Sequence, residues 1–282
     1  MAGPLQRTER TSAQGFFEHD GVRTAYALQG QGPALLLMHG AEATRQMFAG
    51  LMPPLSDAFT VISYDQRECG ETSAPAQASN LEEMAHDACR LIGHLGFQRA
   101  HVFGSSFGGR VAQALALLHP EAVDRLVLGS TWPVPHAMEE LNPAGVARLS
   151  QLRAALPESA EELATLFFTA PLLAERPELR SFFSKVRPAD DSSRRRATAV
   201  ASRLEADLAA ITAPTLVLTG DADAVVPPDV ALSIAREIPG CRSVVLPGVG
   251  HATAMQAPAQ VAAALTQFLL LSDASQGHAT CP

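Results

Sequence analysis

The chain has little cysteine, no long apolar run and hardly any clustered basic charge, and each shortage removes a class of protein. Its cysteines, Cys69, Cys89, Cys241 and Cys281, show no paired spacing and no accompanying histidine cluster, so neither a disulfide framework nor a zinc site is expected. No apolar stretch reaches the roughly 18 residues that span a bilayer. The start, Met1 to Gly15, is polar and lacks the apolar core of a signal peptide, which makes the cytoplasm the expected location. Lys and Arg number 21 against 29 Asp and Glu, for a formal charge of −8, so neither nucleic acid nor an anionic membrane surface is an expected partner. The one basic run, Arg194-Arg195-Arg196, reads as a solvated helix face. The polar tail from Ser272 to Pro282 reads as loose.

What remains is a globular composition: 282 residues, 47% hydrophobic and 18% charged, enough to bury a large core as one α/β domain or a domain with an insertion. Within it, Val102-Phe103-Gly104-Ser105-Ser106-Phe107-Gly108-Gly109 runs from a strand-like pair through a glycine-bracketed serine into a helical stretch. This is the pattern of a nucleophile elbow, in which a strained turn lifts the central hydroxyl clear of the sheet edge. Ser106 is that serine. Gly104 and Gly108 stand two residues to either side, where a side chain would collide across the bend. A phosphate-binding loop would want a Lys that this segment lacks.

The surrounding order supports the reading. Asp20-Gly21 marks a two-residue hairpin between strand-like flanks. Ala34–Met38 is a continuous apolar run, as in a strand covered on both faces, and Thr60–Tyr64 is a second such strand. Helices are expected over Gln46–Leu55 and over Leu81–Leu95, the latter with Asn80 as N-cap. Ala100–Phe103 feeds the elbow, and Val123–Leu128 is a further strand. From about Trp132 to Ala209 no strand is legible, whereas helical runs are expected near 143–156, 161–168, 178–186 and 194–208. Strands resume at Pro214–Thr219 and Ser243–Leu246. This alternation predicts a mostly parallel sheet with helices on both faces. Residues 1–131 and 210–282 would form its core and 132–209 a helical cap over the C-terminal sheet edge, where open α/β sheets bind ligands.

A serine hydroxyl needs a base to remove its proton, and that base needs a carboxylate to orient it and stabilise its charged form. Downstream of Ser106, the loop Gly220-Asp221-Ala222-Asp223 offers two carboxylates and Gly248-Val249-Gly250-His251 offers an imidazole. The order Ser, Asp, His is the one expected when successive strand ends of one sheet supply the groups. With His39-Gly40 after a strand, Asp65-Gln66-Arg67 with Gly70, Val226-Pro227, and Gly250-His251 with Pro258, the chain resembles the α/β-hydrolase fold superfamily over about residues 16–271. The likeness is to its lid-bearing serine hydrolases: small esterases, lactonases, prolyl iminopeptidases and carbon–carbon bond hydrolases. The resemblance implies Asp223, three residues after the loop glycine, as the acid, with Asp221 a solvated loop residue or turn former. It implies the backbone N–H groups of Ala41 and Phe107 as the oxyanion hole, and a loop-ordering role for His39. No metal or organic cofactor is implied.

Two departures from the family pattern stand out. Glu68 replaces a common glycine after the Asp-x-Arg pair, with Glu42 and Glu71 also close to active-site motifs, and Gln256 replaces a common glutamate. Glu42 should point away from the oxyanion or pair with Arg45 or Arg67; Glu68 is expected to reshape the pocket entrance, and Gln256 to be structural. Trp132, at the start of the insertion, is a candidate substrate contact along with Phe107, or else hinge packing. Phe167, Phe168, Phe182 and Phe183 are expected as cap core, and an apolar cap suits a neutral or hydrophobic acyl substrate. The expected activity is serine hydrolysis of a small, mostly apolar ester or lactone. Alternatives are carbon–carbon bond hydrolysis or prolyl aminopeptidase action by the same triad, the latter needing an acidic site such as Glu139, Glu140, Glu158, Glu161 or Glu162. A low-turnover ligand receptor on the same scaffold is the alternative outside enzymology. The sequence leaves the oligomeric state open.

Overall fold

The computed structural model describes residues 12–41, 43–76, 79–184 and 190–271. The chain opens with strands β1 (Ser12–His19) and β2 (Val22–Gln29). They are joined through Asp20 and Gly21 at φ 46° and 77°, the left-handed pair that matches a hairpin turn to strand twist. Next come β3 (Ala34–Met38), the one-turn helix α1 (Met52–Leu55), β4 (Thr60–Tyr64) and α2 (Leu81–His94). The expected Asn80 cap is present, its side chain accepting from the Glu83 N–H at 2.9 Å. β5 (Ala100–Ser105) runs into α3 (Phe107–Leu118), followed by β6 (Val123–Gly129).

Between β6 and β7, the described residues form α4 (Met138–Leu141), α5 (Pro143–Ala154), α6 (Ala160–Phe167), α7 (Ala170–Glu175) and α8 (Asp191–Ala201), with no strand. β7 (Thr215–Gly220), α9 (Pro228–Glu237), β8 (Arg242–Leu246), α10 (Thr253–Gln256) and α11 (Pro258–Leu269) complete the fold. The eight strands form one open sheet in the order β1-β2-β4-β3-β5-β6-β7-β8. The first two pairings are antiparallel and every later one is parallel.

The apolar run of β3 explains why the sheet is covered twice. Leu36 and Met38 pack into a core shared with α2, α3 and α9, while Leu35 and Leu37 pack into a second core with Phe48, Leu55, Val261 and Leu265. Alternate residues of a strand face opposite sides, and all five are buried. Among the described residues no helix is long and apolar enough to cross a membrane.

Three expected helices differ from what forms. The Gln46–Leu55 segment is a 3-10 turn at Arg45–Phe48 followed by the short α1, because Gly50 and the Pro53-Pro54 pair interrupt helix propagation. The expected 178–186 helix is a 3-10 turn over Pro177–Ser181, where Ser181 and Ser184 hydroxyls bond back to the Glu178 and Ser181 carbonyls and compete with helix continuation; Val186 lies outside the described residues. The 194–208 run begins earlier, at the Asp190 cap of α8, and ends at Ala201. Beyond it the Leu204 N–H reaches the Val134 carbonyl at 3.5 Å and Leu204 packs against the core, so a tertiary contact wins over local propensity.

At the elbow, a Cβ added to Gly104 would lie 2.3 Å from the Gly108 carbonyl oxygen, and one on Gly108 would lie 2.2 Å from that of Met38. Gly104→Ala is therefore expected to cost about 1–3 kcal/mol of overpacking strain, read as a lower urea midpoint with unchanged slope; an unchanged midpoint would contradict this packing.

Candidate active site

Ser106 sits between β5 and α3 with φ 54° and ψ −122°, a conformation that L-residues adopt only under constraint. Three hydrogen bonds supply that constraint. Its N–H donates to the Gly129 carbonyl at 2.8 Å, and its own carbonyl accepts from the Gly109 N–H at 2.9 Å and the Thr131 hydroxyl at 2.7 Å.

The three residues expected to act together converge. His251 Nε2 lies 3.0 Å from Ser106 Oγ, and His251 Nδ1 lies 2.9 and 3.0 Å from the two carboxylate oxygens of Asp223. Asp223 Oδ1 also accepts the N–H groups of Val225 and Val226 at 3.0 and 2.8 Å, which fixes the orientation of the carboxylate. With Nδ1 turned to Asp223, the ring directs Nε2 at the serine hydroxyl. Asp221 instead accepts from the Gly248 N–H at 2.7 Å on the exposed side of the loop; it is the turn former, and Asp223 is the carboxylate against the imidazole.

The loop after β3 passes beside the serine: a Cβ on Gly40 would lie 3.5 Å from Ser106 Cβ. His39 is fully buried; its Nδ1–H donates to the Gly40 carbonyl at 2.8 Å, and its Nε2 accepts from the Gln66 N–H at 3.0 Å. The ring orders the loop, as expected. Phe107 begins α3, where the first N–H groups have no intrahelical partner and the dipole favours negative charge. Nearby, Asp65 is held by Arg45, which also pairs with Glu71. Arg67 clasps Asp87 in bidentate fashion at 2.6 and 3.0 Å and reaches Glu83 at 3.1 Å. Glu42 lies outside the described residues.

The helical segment 132–209 meets the rest of the chain through polar side chains that sequence patterning did not identify. The buried Arg110, in the first turns of α3, donates to the carbonyls of Val134, His136 and Val200. Loss of solvent, reinforced by the charge of Arg203, pushes its guanidinium down to about 10. Gln256 accepts from the Gly250 N–H at 3.0 Å and donates to the Gly248 carbonyl at 2.9 Å and the Thr169 hydroxyl at 2.7 Å. A glutamate there could not donate the last two. The basic run is not the solvated face expected of it: Arg195 pairs with Glu68 and Arg196 is buried, and Arg194 alone of the three makes an exposed pair, with Asp191. Ser192, Arg195, Arg196 and Ala199 fall at i, i+3, i+4 and i+7 and so share one face of α8, but their polarity gives no sign that this face is covered.

Trp132 is buried in the main core, its ring centroid 5.1 Å from the Arg110 guanidinium, and packs at the start of the insertion. Phe168 joins Leu173, Leu179 and Ala252 in a separate core, with Phe167 and Phe183 packed on it. Phe167 sets its ring edgewise to His251 at 5.4 Å, while Phe182 meets Phe168 edge to face yet remains 49% exposed. Glu140, Glu161 and Glu162 are paired with Arg203, Arg180 and Arg148. Far from the serine, Cys89, His119 and Glu121 bring possible metal-ligand atoms within 4.8 Å of one another, a grouping that their separation in sequence concealed.

A profile of the alpha/beta hydrolase fold family matches residues 33–258. The chain belongs to the α/β hydrolase family. It is 30% identical over 273 residues to a 2-hydroxymuconate semialdehyde hydrolase of a Pseudomonas strain, spanning 90% of this chain and 93% of that one. Among solved structures, a thermophilic esterase from Thermogutta terrifontis superposes with a TM-score of 0.76 at 29% identity, covering 93% of this chain and 98% of its own. Est816, described as an N-acyl homoserine lactone degrading enzyme, superposes at 0.78 with 26% identity, covering 90% and 100%. This hydrolase thus has esterase, lactonase and carbon–carbon hydrolase relatives.

If His251 is oriented through Nδ1, Asp223→Asn should lower kcat by about a thousandfold to ten-thousandfold through the wrong tautomer, while Asp221→Asn stays within about threefold of wild type. Steady-state kinetics on the two variants checks this; equal losses would contradict the assignment.

Proposed function

We propose that the protein is a serine hydrolase of small, mostly apolar carboxylic esters or lactones, acting through an acyl-enzyme. The observation that carries this reading is the 3.0 Å contact of His251 Nε2 with Ser106 Oγ, within the distance at which a base takes a hydroxyl proton. In the proposed cycle, His251 accepts the proton as Oγ attacks the substrate carbonyl, and Asp223 stabilises the imidazolium. Charge developing on the carbonyl oxygen is held by the N–H groups of Ala41 and Phe107. The tetrahedral intermediate expels the alcohol, which takes its proton from His251 Nε2. Water then gives a proton to the same nitrogen and attacks the acyl carbon, and the second tetrahedral intermediate releases the acid as His251 returns the proton to Ser106 Oγ.

In this reading residues 132–209 are a cap over the site, and Phe167 beside His251 is its apolar inner wall. Trp132 lines the base of that cap. An apolar wall strengthens electrostatics at the reacting centre by excluding water and favours an uncharged acyl group. The lactonase and esterase relatives support the bond type. The similarity to the semialdehyde hydrolase favours a second reading, in which the same triad cleaves a carbon–carbon bond beside a ketone.

A panel of aryl esters, acyl lactones and a ring-cleavage dienol ketone, run with wild type and Ser106→Ala, separates the two. Ester or lactone turnover that falls by about 10⁴-fold or more in Ser106→Ala is expected. Turnover of the ketone alone would replace the ester reading with the second, and full activity in Ser106→Ala would overturn both.

A further inference from the structure

We propose that Arg196, reaching in from α8, is a positioning residue of the oxyanion hole, and that Glu68 is the latch that holds it there. The site then reaches full activity only while α8 is docked. This rests on the reading of Ser106 as nucleophile and of Ala41 as an oxyanion donor.

The argument begins with one peptide plane. The Gly40 carbonyl and the Ala41 N–H belong to the same planar trans unit and point in opposite directions. Whatever holds the carbonyl therefore aims the N–H. The Gly40 oxygen accepts from His39 Nδ1 at 2.8 Å, from the Ala43 N–H at 3.3 Å and from an Arg196 terminal nitrogen at 3.4 Å. Arg196 Nε also donates to the next carbonyl, that of Ala41, at 2.8 Å. One rigid guanidinium fork thus spans the two carbonyls that flank the Ala41 N–H, a geometry lysine cannot reproduce. The same cation lies 4.6 Å from the ring centroid of Phe107, the residue that supplies the second donor. Its charge polarises the peptide whose N–H faces the developing oxyanion, and in a water-poor setting such a bond is strengthened.

Glu68 explains how an arginine from a separate helical segment stays in register. Its φ is 63°, where glycine costs nothing and a glutamate is strained. Its side chain is 5% exposed and accepts Arg195 Nε at 2.7 Å, Arg195 Nη2 at 3.0 Å and the Ser192 hydroxyl at 2.7 Å. A residue kept in a conformation that favours glycine, with its carboxylate wholly engaged by α8, is explained by what that carboxylate holds. Ser192, Arg195 and Arg196 share one face of α8, so the latch and the fork dock together.

The test compares Arg196→Met, Arg196→Lys and Glu68→Gly with wild type on the ester or lactone turned over fastest, with Ser106→Ala alongside. We expect Arg196→Met to lower kcat about 10–100-fold, short of deleting an oxyanion donor outright, with KM within about threefold. Arg196→Lys should recover less than half of the loss. Affinity for a boronic acid that forms a tetrahedral adduct on the serine should fall in parallel with kcat, which a role in stability alone would not produce. Glu68→Gly relieves the strained φ and keeps the Arg196 side chain but removes its latch, so it carries the test if Arg196→Met does not fold; it should lower kcat about 5–20-fold. Glu68→Arg and Arg195→Glu should each lose activity that the double variant regains. Folded Arg196→Met and Glu68→Gly with kcat and boronate affinity within twofold of wild type would overturn the proposal. Full activity in Ser106→Ala would instead overturn the reading beneath it.

Discussion

The structure turns on one strained residue. Ser106 holds a positive φ at the junction of β5 and α3, at a cost on the order of 1–3 kcal/mol, and the hydrogen bonds from Thr131 and Gly109 and to Gly129 offset it. Because that bend is so tight, Gly104 packs onto the Gly108 backbone and Gly108 onto the Met38 carbonyl. The close approach also brings the loop after β3 against the serine. Parallel pairing of β5, β6, β7 and β8 then puts the loops carrying Asp223 and His251 at the same sheet edge. A hydrogen-bonded relay of three residues far apart in sequence follows from strand order and one sharp corner.

Around that corner the chain uses buried and half-buried polar groups where apolar packing would have served stability as well. His39 sits between the Gly40 carbonyl and the Gln66 N–H, Arg110 between three carbonyls, and Gln256 between the His251 loop and Thr169. Each fixes the direction of backbone groups, which apolar contacts cannot do. Arg110, Arg196, Glu68 and Gln256 all bridge residues 132–209 to the rest of the chain. Directional contacts of this kind hold one docked geometry more strictly than they add stability.

Much of this was legible in the residues themselves. The elbow, the Asp20-Gly21 hairpin, the apolar β3 and the acid–base order each have a local cause, whether a forced φ, a turn type or a two-faced strand, and local causes show in sequence. Asp223 over Asp221 came from family position; in the structure Asp223 faces the imidazole and Asp221 is tied to Gly248. What stayed hidden depends on tertiary contact. The basic run looked solvated because charge and hydropathy reveal nothing of a buried partner such as Glu68. The helices expected through Ser181 and Leu204 stop early because a side-chain hydrogen bond and a long-range backbone hydrogen bond end them, whereas the one through Pro53 stops at its glycine and prolines.

The most direct test of the central claim is intact-protein and peptide mass spectrometry after brief exposure to a fluorophosphonate at neutral pH. The account predicts rapid addition of one phosphonyl group, located on the peptide bearing Ser106, absent in Ser106→Ala and greatly slowed in His251→Ala. An unmodified protein, or an adduct on another residue that persists in Ser106→Ala, would contradict it.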